Sequence, residues 1–347
     1  MKKSGDGGAL LVAAGALAER FPCDRFDPAV RAWVESSSPR AVWSVAVSGG
    51  PDSVALLLLL WAHWPSRRRQ LRVLHFNHRL RGLESRDDMF FCRRLCAKLK
   101  IKFIGGSWLG QHGPVSEAAA RAVRMAFFAK KARVVWLGHQ QDDIAESMLM
   151  RLARGSGLGG LSAPRPVQLL KGGRVHLRPL LGIKKGELRA ALRAASVDFR
   201  EDSSNRQPAF FRNRIRHEVI PRWLEAAQRD ALVGAARSRE LLEEDDAALE
   251  LWLDALKPID ALGSLDLSRL AGKPRALFRR ALHRWLLAEP RAGAISRQSF
   301  DFLLAALIRG EPTRHSLGLA GFAKIDQATL RFEPITKSRA TFRGPIN

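Results

Sequence analysis

VWSVAVSGGPDS, running from Val42 to Ser53, is the stretch on which the reading of the chain turns. Its first half is apolar and rich in β-branched residues (Val42, Val45, Val47), the composition of a buried strand. Ser48-Gly49-Gly50-Pro51-Asp52-Ser53 then breaks the strand, and the apolar run from Val54 to Leu60 opens a helix at once. A strand, a glycine-rich turn and a helix N-terminus together make an anion site, because free N–H groups converge there. Gly49 and Gly50 let the backbone approach a phosphate closely, and Ser48 and Ser53 add hydroxyl donors. Asp52 is out of place facing an anion, which assigns it to a metal ion or a ribose. No Lys follows the glycines, so this is not the GxxxxGK[ST] loop whose Lys reaches the β- and γ-phosphates.

Outward from this turn the pattern alternates. Residues 71–78 (LRVLHFNH) read as a buried strand, 85–99 as a helix and 101–104 as a short strand. Residues 115–132 read as a helix capped by Ser116, 134–138 as a strand and 142–154 as a helix. That alternation predicts an α/β domain, a doubly wound and mostly parallel sheet. Ligands of such sheets bind beyond the C-terminal strand ends, where SGGPDS, HFNH (75–78) and GHQQDD (138–143) all fall. Residues 155–173 are rich in Gly and Pro and read as a loop, followed by a strand at 175–181, a helix at 184–195 and the polar turn EDSSN. From residue 211 the pattern is mainly helical. We expect an N-terminal helical extension (1–39), the α/β domain (40–225), a helical region (226–310) and a short β segment with tail (311–347). Within these, 258–263 reads as a linker, 265–308 as a small helical module and 314–333 as a hairpin. The acidic run at 240–250 reads as a solvated helix face.

Charge narrows the partner. Against 34 Asp and Glu the 347 residues carry 58 Lys and Arg, a formal net charge of +24. Such a surplus points to a polyanion, nucleic acid before membrane, because the basic residues form no single amphipathic stripe. Residues 151–200 alone hold eleven Lys and Arg and two Asp and Glu. Cys23, Cys92 and Cys96 make neither a disulfide framework nor a CxxC pair, which fits a reducing, cytoplasmic setting. Cys92 and Cys96 lie one helical turn apart and should face a core. Residues 9–18 (ALLVAAGALA) imitate a secretory signal, but Asp6, Gly7 and Gly8 interrupt it and a short helix explains the leucines equally well. The apolar runs are too short to span a bilayer.

In HQQDDIAES (139–147), Asp142, Asp143 and Glu146 can share one face of the first helical turns. Carboxylates clustered beside a phosphate turn suit Mg2+ or the ammonium of a cationic substrate. Two acids opening a helix also complement its dipole. His139, at the strand end, can orient a phosphate; ATP-linked Mg2+ prefers oxygen ligands.

Together these motifs resemble the tRNA(Ile)-lysidine synthase family of the PP-loop, or N-type, ATP pyrophosphatases. The resemblance covers roughly residues 40–225. It rests on Ser48 to Ser53; His75-Phe76-Asn77-His78 with Leu80-Arg81; Glu117-Ala118-Ala119-Ala120-Arg121; and Gly138-His139 with Asp142, Asp143 and Glu146. It continues through Arg154-Gly155-Ser156-Gly157 with Gly160-Leu161; Arg178-Pro179-Leu180-Leu181; Glu201-Asp202-Ser203-Ser204-Asn205; and Arg212-Asn213-Arg214-Ile215-Arg216. Ile144, Ser147 and Met125 replace the family's usual Gln, Thr and Tyr, and the chain has no Tyr at all.

The resemblance implies that ATP adenylates O2 of the wobble cytidine in the CAU-anticodon isoleucine tRNA, after which the ε-amine of L-lysine displaces AMP from C2. It implies pyrophosphate on Ser48, Gly49, Gly50, Pro51 and Ser53, and Mg2+ on Asp52 with Asp142 or Asp143. His75 and Asn77 would line the adenine, with His139 and Arg121 also on the nucleotide; Arg121 reads equally well as a helix ion pair. Glu146 would hold the lysine cation, with Glu117 as second candidate. Asp52, Asp142, Asp143 and Glu146 form the implied catalytic set. Arg154, Ser156, Arg178, Asp202, Asn205, Arg212, Asn213 and Arg216 would meet the substrates, with Arg212, Arg214 and Arg216 on an RNA phosphate track; a solvated basic helix is the plainer reading of RNRIR. No membrane partner is implied. The alternative is a tRNA thiolase of the same superfamily, whose sulfur chemistry calls for CxxC pairs or an Fe–S cluster.

Overall fold

The computed structural model describes residues 5–79, 82–108, 116–201, 210–289, 291, 295–318, 321–326 and 328–335. They divide into two compact units, Met1–Glu243 and Glu244–Asn347. The first begins with α1 (Gly5–Arg20), α2 (Pro28–Ser36), β1 (Trp43–Ala46), α3 (Pro51–His63), β2 (Leu71–Asn77), α4 (Leu83–Leu99) and β3 (Lys102–Ser107). It continues with α5 (Glu117–Lys131), β4 (Val134–Trp136), α6 (Gln141–Leu152), α7 (Leu158–Leu161), β5 (Val167–Leu170), β6 (Arg174–Leu177) and α8 (Lys185–Ala194). Then come α9 (Phe211–Arg214), a π turn (Ile215–Val219) and α10 (Ile220–Ala226).

The strands form one sheet in the order β3-β2-β1-β4-β6-β5. All neighbours pair in parallel except β5, which runs antiparallel to β6 at the edge. The doubly wound, mostly parallel sheet is therefore as the alternating pattern predicts. The strand order reverses between β1 and β4, which opens a crevice beyond their C-terminal ends. The SGGPDS turn leaves β1 at that crevice.

Every residue from Val54 to Leu60 in α3 is buried. A helix apolar all round must be covered all round, and α1 and α8 pack against α3. Ala13, Ala14 and Leu17 of α1 and Val30 of α2 share one core with Trp43, Leu56 and Trp136. The helices α1 and α2 thus pack into the core of the first unit. Cys92 and Cys96 lie in the same core, as their helical spacing predicts.

Residues 155–173, read as a loop, contain α7 and β5. Gly157, Gly159 and Gly160 obscured the helical turn, and four residues of an edge strand give too short a pattern to register. The strand expected at 175–181 ends at Leu177.

The division between units falls inside α11 (Ala231–Leu256). The second unit continues with β7 (Leu265–Asp266), α12 (Arg275–Ala288), α13 (Arg297–Arg309), β8 (Thr313–Ser316), β9 (Gly321–Ile325) and β10 (Thr329–Pro334). Its antiparallel sheet, in the order β7-β10-β9-β8, shares a core with α12 and α13 around Trp285, Leu304 and Leu330. The expected hairpin is thus part of a four-stranded sheet, extended by a strand from 265–266. Residues 258–263 form a turn within this unit, closed by Asp260, which accepts from the Leu262 and Ser264 N–H groups. The acidic run is only partly solvated: Asp246 is buried against Arg280, and Arg280 and Arg284 share Glu250. None of the described helices is long and apolar enough to cross a membrane.

Candidate active site

The Val47 N–H donates to Leu74 O (2.9 Å), so the turn departs from the C-terminal edge of the sheet. Its serines shape it from within. Ser53 Oγ donates to Gly50 O (2.9 Å) and accepts from the Ser48 N–H (3.2 Å), while Ser48 Oγ accepts from the Gly50 N–H (3.3 Å). Gly49 has φ +98°, a conformation costly for any residue with a Cβ, and its carbonyl accepts from the Arg200 N–H at 2.8 Å. Pro51 occupies the first turn of α3, where its missing N–H costs nothing.

Gly138 sets how closely the end of β4 approaches this helix. A Cβ there would stand 2.9 Å from Asp52 O and 3.0 Å from Asp52 C, both backbone atoms. Gly138→Ala should therefore push the first turn of α3 away and cost about 1–3 kcal/mol of stability. A thermal melt with and without ATP checks this; an unchanged midpoint and unchanged ATP stabilisation would show that the contact relaxes freely.

Asp52 lies in that first turn with Oδ1 buried and unpartnered. Burial, only partly opposed by Lys185, raises its pKa to about 6. A desolvated carboxylate with an orphaned oxygen is a cation ligand in waiting.

The start of α6 supplies the other carboxylates. Gln140 caps it, accepting from the Asp142 N–H (2.7 Å), and its own N–H donates to Asp143 Oδ2 (3.0 Å). Arg212 then spans Asp143 and Glu146, with Nη2–Oδ1 at 2.5 Å and Nε–Oε2 at 2.7 Å. Arg216 takes Glu146 in a fork, Nε–Oε1 at 2.5 Å and Nη2–Oε2 at 2.9 Å. The Glu146 side chain is 1% exposed, those of Arg212 and Arg216 22% and 20%. This corrects the phosphate-track reading: RNRIR is helical and runs into the π turn, and two of its guanidiniums lie on carboxylates. Glu146 likewise is not open to a lysine cation without an exchange. Asp142 engages α8 instead of this cluster, its Oδ2 accepting from the Lys185 N–H at 2.9 Å.

Beside the cluster lies uncompensated positive charge. Arg178 is 3% exposed and donates to His139 Nδ1 (3.2 Å), Arg165 O (2.7 Å) and Gln168 Oε1 (2.9 Å). It is a buried brace, which leaves none of these donors for the RNA contact expected of it. Desolvation, then Arg178, Arg212, Arg121 and Arg124, push the His139 pKa well below that of a free imidazole. With Nδ1 accepting from Arg178, the proton of this neutral ring lies on Nε2. Burial and the neighbouring Arg121 lower Arg124 to about 10, and its Nε has no partner. Among the described residues, Arg121, Arg124, Arg151 and Arg154 form no ion pair. Glu117, exposed in the first turn of α5 and flanked by the cap Ser116, is the carboxylate opposing Arg121 and Arg124.

His75 donates from Nδ1 to Val47 O (2.9 Å) and stacks on Phe103, leaving Nε2 buried and unpartnered. Asn77 uses both ends of its amide within the chain: Nδ2 donates to Ser85 O (3.0 Å) and Oδ1 accepts from the Arg79 N–H (2.7 Å). It closes the approach to α4, which removes it from the adenine contacts expected of it. The Ser156 N–H donates to Arg151 O (3.0 Å), and the Arg154 N–H to the same carbonyl (3.1 Å). Asn213 is buried. Asp202 and Asn205 lie outside the described residues. Gln140 and Arg124 were missed because Gln is not a common N-cap and an unpaired arginine leaves no spacing signature.

A phosphate turn at the switch point of a parallel sheet, with an orphaned aspartate and clustered arginines, defines a nucleotide-binding protein of the PP-loop class. Residues 25–223 match the PP-loop domain family. The tRNA(Ile)-lysidine synthase of Geobacter sulfurreducens is 41% identical over 275 residues, covering 74% of this chain and 56% of that protein. That of Symbiobacterium thermophilum is 37% identical, covering 68% and 53%, and that of Gloeobacter violaceus 37%, covering 79% and 86%. The chain belongs to the tRNA(Ile)-lysidine synthase family. It spans just over half the length of the first two relatives and most of the third. Among solved structures, the U34-tRNA thiolase NcsA of Methanococcus maripaludis superposes with a TM-score of 0.46 at 17% identity, over 58% of this chain and 72% of that one.

Proposed function

We propose that the chain adenylates O2 of the wobble cytidine in a CAU-anticodon isoleucine tRNA and joins L-lysine to C2. In the first step O2 attacks the α-phosphorus of ATP and pyrophosphate leaves. In the second the lysine ε-amine adds at C2, loses a proton, and AMP departs with the electrons of the C2–O bond. The observation that carries this reading is the unpartnered Asp52 carboxylate, set in a phosphate turn at the switch point of the parallel sheet.

The backbone N–H groups of the turn hold the pyrophosphate, and Nε2–H of the neutral His139 donates to a phosphate oxygen. His75, with its open Nε2, lines the adenine side. Asp52 and Asp142 fit Mg2+ better than Asp143, whose two oxygens serve Gln140 and Arg212. Among the described residues no three side chains make a metal cage; ATP-linked Mg2+ needs only one or two carboxylates, the phosphates and water completing its shell. Held by these carboxylates, Mg2+ would supply charge neutralisation on the phosphates. The lysine ammonium takes the Asp143–Glu146 carboxylates by exchange with Arg212 or Arg216. Arg121, Arg124, Arg151 and Arg154 face the RNA phosphates, positioning without specifying.

Burial disfavours the thiolase alternative. Buried Cys96 is pushed up to about 12 and Cys92 higher still, and burial also raises Cys23. None of the three is primed as a thiolate.

The test is pyrophosphate release from ATP, with lysine and the CAU-anticodon tRNA present or omitted. We expect release to require the tRNA and tRNA-linked lysine to require both. Release without tRNA, or sulfur transfer in place of lysine, would sink the assignment.

A further inference from the structure

The phosphate turn lacks a basic side chain: Ser48 to Ser53 contains none, and no Lys follows the glycines. A polyphosphate held only by N–H groups and hydroxyls, next to a buried aspartate, lacks a neutralising charge. Among the groups that weigh most on the Asp52 carboxyl, the basic ones are Lys185, then Arg189 and Arg216. Arg189 is taken by Glu201 (Nη2–Oε1, 2.9 Å) and Arg216 by Glu146. Neighbouring Lys184 is taken by Asp230. Lys185, partly buried, forms no ion pair among the described residues.

Its backbone is fixed at the site from two sides. The Lys185 N–H holds Asp142 Oδ2 (2.9 Å), and the Gln141 N–H holds Ile183 O (2.9 Å), which ties the start of α8 to the start of α6. The strand end before α6 in turn abuts the Asp52 backbone through Gly138. The first turns of α3, α6 and α8 therefore meet, and Lys185 opens the last of them. We propose that Lys185 is the cation the turn lacks: its ammonium, delivered from α8, binds the β- and γ-phosphates of ATP and holds the pyrophosphate as it leaves. This rests on the adenylation reading above. The lysine that ordinary phosphate loops carry within the loop is here supplied by a helix about 130 residues further along the chain, which the KK at 184–185 alone could not reveal.

Isothermal titration of the full chain with MgATP, magnesium pyrophosphate and AMP tests it. Lys185→Met should weaken ATP and pyrophosphate by the same factor, roughly 10- to 100-fold, the worth of one charge-assisted contact. AMP should be unaffected, Lys185→Arg should restore most of the loss, and Lys184→Met should bind like the unsubstituted chain. The hydrogen bond to Asp142 comes from the backbone and survives these substitutions, and a melt confirms the fold. Unchanged ATP affinity in Lys185→Met, or equal weakening of AMP, would overturn the proposal alone. If the unsubstituted chain bound no ATP, the adenylation reading would fall and this proposal with it.

Discussion

Asp52→Asn should stop pyrophosphate release and yet raise the melting temperature of the nucleotide-free protein at pH 8. The two effects share one cause. Burial lifts the Asp52 carboxyl to about 6, and Oδ1 has no partner to offset the charge it carries above that pH. The folded chain therefore binds this proton more tightly than the unfolded chain, whose carboxyl has an ordinary, lower pKa. Stability from this group is full below about pH 4, is lost as pH rises through about 6, and stays lost above. The shift corresponds to at most about 3 kcal/mol at pH 8, on the order of 5 °C for a unit of this size. Asparagine keeps the shape and removes the charge, so the difference between the two proteins should vanish near pH 4. Catalysis should fall by roughly 10³-fold or more, because the metal contact worth several kcal/mol is gone. MgATP should accordingly stabilise the unsubstituted protein far more than the variant. Paired melts at pH 4 and pH 8, with a pyrophosphate assay, check all of this; a lower melting point for Asp52→Asn at pH 8 would remove Asp52 as a stored electrostatic cost.

What the sequence reveals of this site depends on how far apart the participants lie. The phosphate turn is legible because Ser48, Gly50 and Ser53 bond one another within six residues. Strand and helix alternation is legible for the same reason, since periodicity is a local property. The capping role of Asp143 is likewise readable from its position at a helix start. Its bond to Arg212 spans 69 positions, and those of Arg212 and Arg216 to Glu146 span 66 and 70. Charge pattern alone left both arginines looking free for RNA, although folding brings them to the only buried carboxylates of α6. Arg178 was misread in the same way, as its acceptors on β5 and in the preceding turn sit in the stretch whose glycines and prolines suggested a structureless loop. Sequence reading could not apportion which charges of the crevice cancel.

That apportionment fixes the other large effect. Glu146→Ala should destabilise the first unit by about 3–5 kcal/mol, because it strands the Arg216 guanidinium, mostly out of water, and leaves Arg212 only Asp143. Glu146→Gln keeps an acceptor oxygen and should cost less, roughly 1.5–3 kcal/mol, leaving a folded protein in which function can be read. In that variant lysine should bind at least about tenfold more weakly while tRNA-dependent pyrophosphate release continues, since only the exchange site for the ammonium has lost its charge. The same pairing decides how RNA binding responds to salt. A cation already on a carboxylate releases little when it meets a phosphate, so Arg212→Ala and Arg216→Ala should leave the salt dependence of tRNA binding nearly unchanged. Arg151→Ala and Arg154→Ala, which remove unpaired charge, should each flatten that dependence by about 0.7–0.9 in the logarithmic slope. Filter binding across a salt series, run beside chemical denaturation, separates the two groups of arginines. If Arg212→Ala flattened the slope and left stability intact, the guanidinium would have to leave its carboxylates when RNA arrives, and in the complex Arg216 alone would hold Glu146.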